Sequence, residues 1–168
     1  MEANKLLEEW LDRIRRTQQA HYEATTHFLR LNYWLGIPAI VLSAVVGTSV
    51  FATLQRETDT RIKIAVGVAS ITAAILMALQ TFLHYSERAE KHRLVGVRYG
   101  ALRREIEKRL AFPPMKRDLE NYLESVRIQW DKCNEDCPTV PKSIWHSTKA
   151  EIKANVRRPS DDQSKSSV

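Results

Sequence analysis

Two stretches of this 168-residue chain carry no charge at all, although Asp, Glu, Lys and Arg make up 27% of the sequence. Glycine is scarce as well. Five residues, none clustered, leave no glycine-rich loop to cradle a phosphate. Neither H-E-x-x-H nor G-x-S-x-G occurs, so no hydrolase site is signalled. There are two cysteines, Cys133 and Cys137, in a C-x-x-x-C spacing without a second pair, which excludes a disulfide scaffold and a zinc signature. They read as ordinary reduced thiols near a helix end, with a redox or metal clip as the alternative. The histidine pairs His21/His27 and His84/His92 lack the three- or four-residue spacing of ligands on one helix face. No catalytic residue, metal or cofactor is therefore expected. The first 30 residues contain no apolar run, so no cleavable signal peptide is read there.

The two uncharged stretches are Tyr33 to Leu54, with 22 residues, and Ile64 to Leu83, with 20. A helix of the first length reaches roughly 33 Å, enough for a hydrocarbon core of about 30 Å. Nine residues, Gln55 to Lys63, join them, and five of these are charged. A soluble hairpin with both helices buried is the alternative, but a chain this short builds too small a core to enclose them. The mean hydropathy of −0.37 averages two membrane segments with very polar flanks.

The net charge of +6 would suit nucleic acid, yet most basic residues stand beside the apolar segments, where anionic lipid is the nearer partner. Direct nucleic-acid binding is not expected. Lys5, Arg13, Arg15, Arg16 and Arg30 precede the first span, and Arg88, Lys91, Arg93, Arg98, Arg103 and Arg104 follow the second. The loop holds only Arg56, Arg61 and Lys63, so both termini are expected in the cytoplasm of an inner-membrane, multi-pass protein.

Residues 2 to 32 read as one helix, free of Pro and Gly. Its seam Leu7, Leu11, Ile14, Gln18, His21, Thr25, Phe28 steps by four and three, apolar at both ends and polar in the middle. Beyond Leu83 the helix is expected to continue without a break through Tyr85, Ala89, His92, Gly96, Tyr99, Arg103, Ile106 and Leu110, until Pro113 and Pro114 stop it. The cytoplasmic polar layer is thus Gln18, His21, Thr25 and His92. Such a layer can fix register or line a site, and heptad spacing favours register. A third helix follows, with the seam Met115, Leu119, Tyr122, Val126 and Gln129, widened by Leu123 and Trp130.

Within the spans, Ser43 and Gly47 form a small pair on the first segment. Ala65, Ala69 and Ala73 form one ridge on the second, with Ser70, Ala74 and Ala78 another. Small residues four apart let helices approach closely in lipid. Ser70, Ala73, Met77, Gln80 and His84 share one face. Gln80 needs a partner inside a span, found across a helix pair, by snorkelling, or in a water-filled lumen lined by this face. From Cys133 to Val156 the chain reads as a linker, with Pro138, Pro141 and a short amphipathic helix from Ser143. Residues 157–168 read as a disordered tail.

The runs HYEATTHFLRLNYWLGIPAIVLSAVVGTSVFATL, LQTFLHYSERAEKHR and RYGALRREIEKRLA resemble the SLATT domain, the SMODS- and SLOG-associating two-transmembrane effector domain of bacteria. The resemblance spans roughly residues 10 to 130, with Gly36, Pro38, Gly47 and Gln80 among the matching positions. It implies a membrane effector of anti-phage conflict systems that forms a pore to kill or arrest the infected cell. It also implies a separate partner, a nucleotide-signalling protein or a reverse transcriptase, since no sensor is fused here.

The expected fold class is an all-α membrane protein: a two-transmembrane helical hairpin (spans 33–54 and 64–83) with long cytoplasmic helical extensions and a third packed cytoplasmic helix. These fill residues 1–132. Two helices cannot enclose an aqueous path, so a pore requires a homo-oligomer. Its lining candidates are Ser70, Ala73, Met77, Gln80 and His84. Helix packing is expected from Ser43, Gly47, Ala65, Ala69, Ala74 and Ala78. The rival is a non-catalytic membrane scaffold that recruits a nucleotide synthase, sensor or reverse transcriptase. An enzyme or a nucleic-acid binder has only the basic flanks in its favour.

Overall fold

The computed structural model describes residues 2–53, 59–112, 119–146 and 148, and among them every regular element is a helix. Helix α1 (Glu2–Thr53) is followed by α2 (Thr60–Leu83), α3 (Tyr85–Ala111) and α4 (Leu119–Glu135). A short helical turn at 142–146 comes last. The start of the third seam at Met115, the end of the C-terminal turn with Ile152 and Val156, and the tail lie outside the described residues.

Helix α1 runs unbroken for 52 residues, with Pro38 inside it. Several hydroxyls in the apolar segments are satisfied by their own helices. Ser43 Oγ donates to the Ala39 carbonyl at 2.8 Å, Ser49 Oγ to Val45 at 2.7 Å and Thr72 Oγ1 to Val68 at 2.9 Å. Such bonds one turn back let a hydroxyl lie in an apolar medium without an unpaired donor. Helix α2 begins at Asp59, whose carboxylate accepts the Arg61 N–H at 3.1 Å and caps the exposed first turn.

The continuous helix expected through Leu83 is interrupted. His84 takes a left-handed backbone conformation (φ 50°, ψ 37°) that closes α2, and its Nδ1 lies 2.8 Å from the Phe82 carbonyl oxygen. Its own carbonyl accepts the Arg88 N–H at 3.0 Å, so α3 starts at once. Left-handed backbone is rare outside glycine, though histidine is among the residues that adopt it. No Gly or Pro marks the break.

Contacts divide the chain into two units. One joins the residues up to Thr25 with those from Glu90 onward; the other is Thr26–Ala89. In the first, α1, α3 and α4 share a core of Leu7, Leu11, Ile14, Val95, Tyr99, Leu102, Ile106, Val126 and Cys133. The Trp10 and Trp130 rings meet edge to face at 5.8 Å beside it. The seam of α4 departs from its expected course: Gln129 is exposed and Cys133 is buried. Past Val126 the buried stripe follows Trp130, Cys133 and Cys137, stepping by four, three and four.

In the second unit, contacts between the end of α1 and α2 run in antiparallel order. Phe28 stacks on Tyr85 with centroids 6.1 Å apart, and Gln80 Nε2 reaches Asn32 Oδ1 at 3.5 Å. Gly36 is where a side chain would collide, because a Cβ there would stand 2.8 Å from Gln80 Nε2. Ala39 and Ala73 are also buried, while much of the remaining surface of both segments is exposed. Trp34 is 78% exposed and Ile40 71%. Both helices are long and apolar enough to cross a membrane, and little of either apolar stretch is buried inside the chain.

Candidate functional site

The heptad positions that turn polar in α1 meet the polar positions of α3. His21 and His92, on different helices, are 1% and 2% exposed, and their Nδ1 atoms stand 2.9 Å apart. One ring must donate and the other accept. On the far side of the His21 ring, Nε2 lies 3.1 Å from Cys137 Sγ. The Tyr99 ring stacks on His21 at 6.0 Å, and its hydroxyl donates to Asn134 Oδ1 at 2.5 Å. Thr25 Oγ1 donates to the His21 carbonyl at 2.9 Å. Gln18 lies one turn earlier and approaches Gly100 so closely that a Cβ there would be 2.8 Å from its Nε2. Beside this layer, Thr148 Oγ1 donates to Glu23 Oε2 at 2.5 Å, which ties the C-terminal turn to α1.

Burial governs the charge state of these groups. It lowers His21 to about 4, with His92 adding to the effect, and it lowers His92 too. It pushes Tyr99 up to about 12, helped by Cys137 and Cys133. It raises both thiols; Cys133 adds to the shift of Cys137, while Arg98 opposes that of Cys133. Every one of these groups is therefore neutral at pH 7. Two hydrogen-bond directions satisfy the string. In one, Cys137 donates to His21 Nε2 and His21 Nδ1–H donates to His92 Nδ1. In the other, His92 donates, His21 Nε2–H points to sulfur, and the thiol turns toward the Pro138 carbonyl, 3.8 Å away.

The structure thus brings His21, Thr25 and His92 into one buried layer with Gln18 at its edge. Sequence spacing did not place Cys137, Asn134 or Thr148 there. Cys137 carried a signal, since it continues the stripe of Val126, Trp130 and Cys133 past the end of α4. Of the five residues sharing one face of the second apolar segment, Ser70, Met77 and His84 are exposed; Ala73 is 3% exposed, and Gln80 is turned to Asn32 and Gly36. Ser43, Gly47, Ala65, Ala74 and Ala78 are exposed and Ala69 is partly buried. Among the described residues no three His, Cys, Asp or Glu side chains gather to hold a metal.

Residues 4–111 match the family described as SMODS and SLOG-associating 2TM effector domain family 4. The chain belongs to the SLATT family. The match takes in α1, α2 and α3 almost entire, so the SLATT region supplies His21, His92 and Tyr99. Helix α4, with Asn134, and Cys137 and Thr148 beyond it lie outside that region. No curated protein and no solved structure matches the chain. SLATT domains are two-transmembrane effector domains associated with conflict systems. The two exposed apolar segments accord with a membrane protein.

Proposed function

We propose that this chain is the membrane effector of a bacterial anti-phage conflict system, and that several copies assemble into a pore that ends infection by killing or arresting the cell. The reading is carried by the bare apolar surface of both long segments. An apolar area this large is not left to water, and lipid together with other copies of the chain is what covers it. Among the described residues, nothing lies within 4 Å of where a Cβ of Gly47 would stand, so none of them needs its small size. In an assembled ring the small positions Ser43, Gly47, Ala74 and Ala78 face neighbouring copies. Ser70 and Met77 face the lumen, and Gln80 with Ala73 holds the helix pair together.

Both termini lie in the cytoplasm of the inner membrane in this reading, and the trigger comes from a separate nucleotide-signalling or reverse-transcriptase partner. The layer of Gln18, His21, Thr25 and His92 transmits it. The test is membrane potential during induced expression with the genomic partners present, comparing wild type with Gly47→Leu at equal membrane abundance. Depolarisation in wild type, weakened by Gly47→Leu, is the expected result. An unchanged potential, with activity retained after both segments are replaced by unrelated spans, would make the protein a scaffold instead.

A further inference from the structure

We propose that copies of this chain join through α3 and α4, the outward face of α3 on one copy docking against the outward face of α4 on the next. This rests on the reading above that copies assemble, and it identifies the surface they use. The α3 face is Leu94, Val97, Ala101, Arg104 and Lys108, all exposed and stepping by three, four, three and four. Leu94 is 47% exposed and Val97 46%. The outer side of α3 thus repeats the heptad spacing of its buried side, with apolar residues left in the open. The α4 face is Glu120, Glu124, Ile128, Asp131 and Glu135, again all exposed and on one side of the helix.

The two faces carry opposite charge. On α3, Arg93, Arg98 and Arg103 pair with Glu90, Asp136 and Glu107, whereas Arg104 and Lys108 form no ion pair among the described residues. Like charges one turn apart repel, and a carboxylate facing both offsets this. Glu105 lies to another side of α3, close enough to Tyr122 to add to the upward shift that burial imposes on that hydroxyl. On α4, Arg127 and Lys132 stand at the two edges of the face, and Arg127 bridges Glu124 at 2.6 Å and Asp131 at 3.3 Å. Four carboxylates still keep the face acidic.

Register decides which residues meet. Within one chain α3 and α4 run antiparallel, with Arg98 level with Asp136, Tyr99 with Asn134 and Arg109 with Tyr122. The same register puts Ala101 level with Asp131, Arg104 with Ile128 and Lys108 with Glu124. In a ring whose axis runs along these helices, residues level within one chain stay level between neighbours. Lys108 then meets Glu124 of the next copy. Arg104 lies within one turn of both Glu124 and Asp131, and Val97 and Ala101 close on Ile128. Such complementarity fixes partner and register. A second copy is favoured over lipid or another protein because both halves of the contact, matched in spacing and charge, occur on this one chain. Since the halves lie on different helices, the contact is heterologous, the kind that builds rings.

The experiment oxidises Ala101→Cys/Asp131→Cys full chain in membranes of cells that also express the genomic partners, and reads membrane potential in parallel. A ladder of dimers and larger species is expected from the pair and from neither single variant. Adding Lys108→Glu should reduce it at least about threefold, and adding Glu124→Lys as well should restore it. A ladder from Ala101→Cys alone would mean that α3 meets α3. No ladder, or a loss that Glu124→Lys does not restore, would mean that lipid or another protein covers the α3 face. Each of these overturns the proposal. If the ladder is missing while wild type depolarises the membrane, this interface fails and the pore reading stands. If the ladder forms while the potential is unchanged, the interface stands and the pore reading fails.

Discussion

His21 on α1 and His92 on α3, 71 positions apart in sequence, face each other through Nδ1 at 2.9 Å with both rings closed off from solvent. Two imidazoles at that distance share one proton comfortably and two badly, since a second would place like charges side by side in a medium that screens them poorly. The layer therefore resists taking up a proton on each ring at once, and burial disfavours charge on either.

That makes stability depend on pH in a stated direction. The unfolded chain takes up a proton on each ring near the ordinary value of 6.5, whereas the folded chain holds His21 unprotonated to about 4 and lowers His92 as well. The unfolded state thus binds more protons below 6.5, and stability falls as pH drops from there toward about 4. Above 6.5 neither state is protonated and these rings add no slope. His21 contributes up to about 1.4 kcal/mol per pH unit inside this window, and His92 adds in the same direction. Thermal unfolding in detergent at pH 7.5, 6 and 5 should show the loss. The double variant His21→Gln/His92→Gln should show a shallower one, and parallel curves would remove the rings as its cause.

Tyr99 tests how the layer is held from its other side. Its ring is fully buried and its hydroxyl reaches Asn134 on α4, a residue that remains exposed. Removing the hydroxyl leaves Asn134 free to bind water, so Tyr99→Phe should cost about 0.5–1 kcal/mol. Tyr99→Ala empties the site of a large ring beside His21 and should cost about 3–5 kcal/mol. Denaturant midpoints of the two variants check the ratio; near-equal losses would mean that the hydroxyl, not the ring, secures α4.

Much of this arrangement is written in the spacing of α1 and α3. The step of four and three runs through Leu7, Leu11, Ile14, His21 and Thr25, and again through Ala89, His92, Gly96, Tyr99 and Ile106, and all of these are buried. Periodicity identifies a face but not what that face meets. That His21 stands opposite His92 depends on how the helices slide against each other, which pairwise packing decides. The break at His84 carried no glycine or proline to signal it; the residue is exposed, and the contact of its ring is with the Phe82 carbonyl two positions back. In α4 a small drift of the stripe exchanges Gln129 for Cys133 and carries Cys137 to His21, a contact between residues 116 positions apart.

The edge-to-face pair of Trp10 and Trp130 should be separable from simple burial. In a double-mutant cycle with Trp10→Leu and Trp130→Leu, the coupling should be about 0.5–1.5 kcal/mol. The geometry behind this is a centroid distance of 5.8 Å and an interplanar angle of 72°. Unfolding free energies of the two single variants and the double variant supply the term, and a coupling near zero would reduce the pair to two independent apolar side chains.

The glycines of the first apolar segment divide into one that its own chain requires and one that it does not. At Gly36 any side chain meets Gln80 at once, so Gly36→Leu must push the amide aside, lose its approach to Asn32 and open the contact between α1 and α2. At Gly47 the space beyond the backbone is empty, so Gly47→Leu should leave the isolated chain folded and, within a helix, gain slightly in backbone propensity. Thermal unfolding of monomers in detergent should therefore fall for Gly36→Leu and hold or rise for Gly47→Leu. Chemical crosslinking in native membranes asks the complementary question. If Gly47→Leu weakens crosslinked oligomers while the monomer stays as stable as wild type, a second chain occupies the space beside Gly47. If both measurements are unchanged, that face meets only lipid, and contacts between copies must be sought on the ridges of α2.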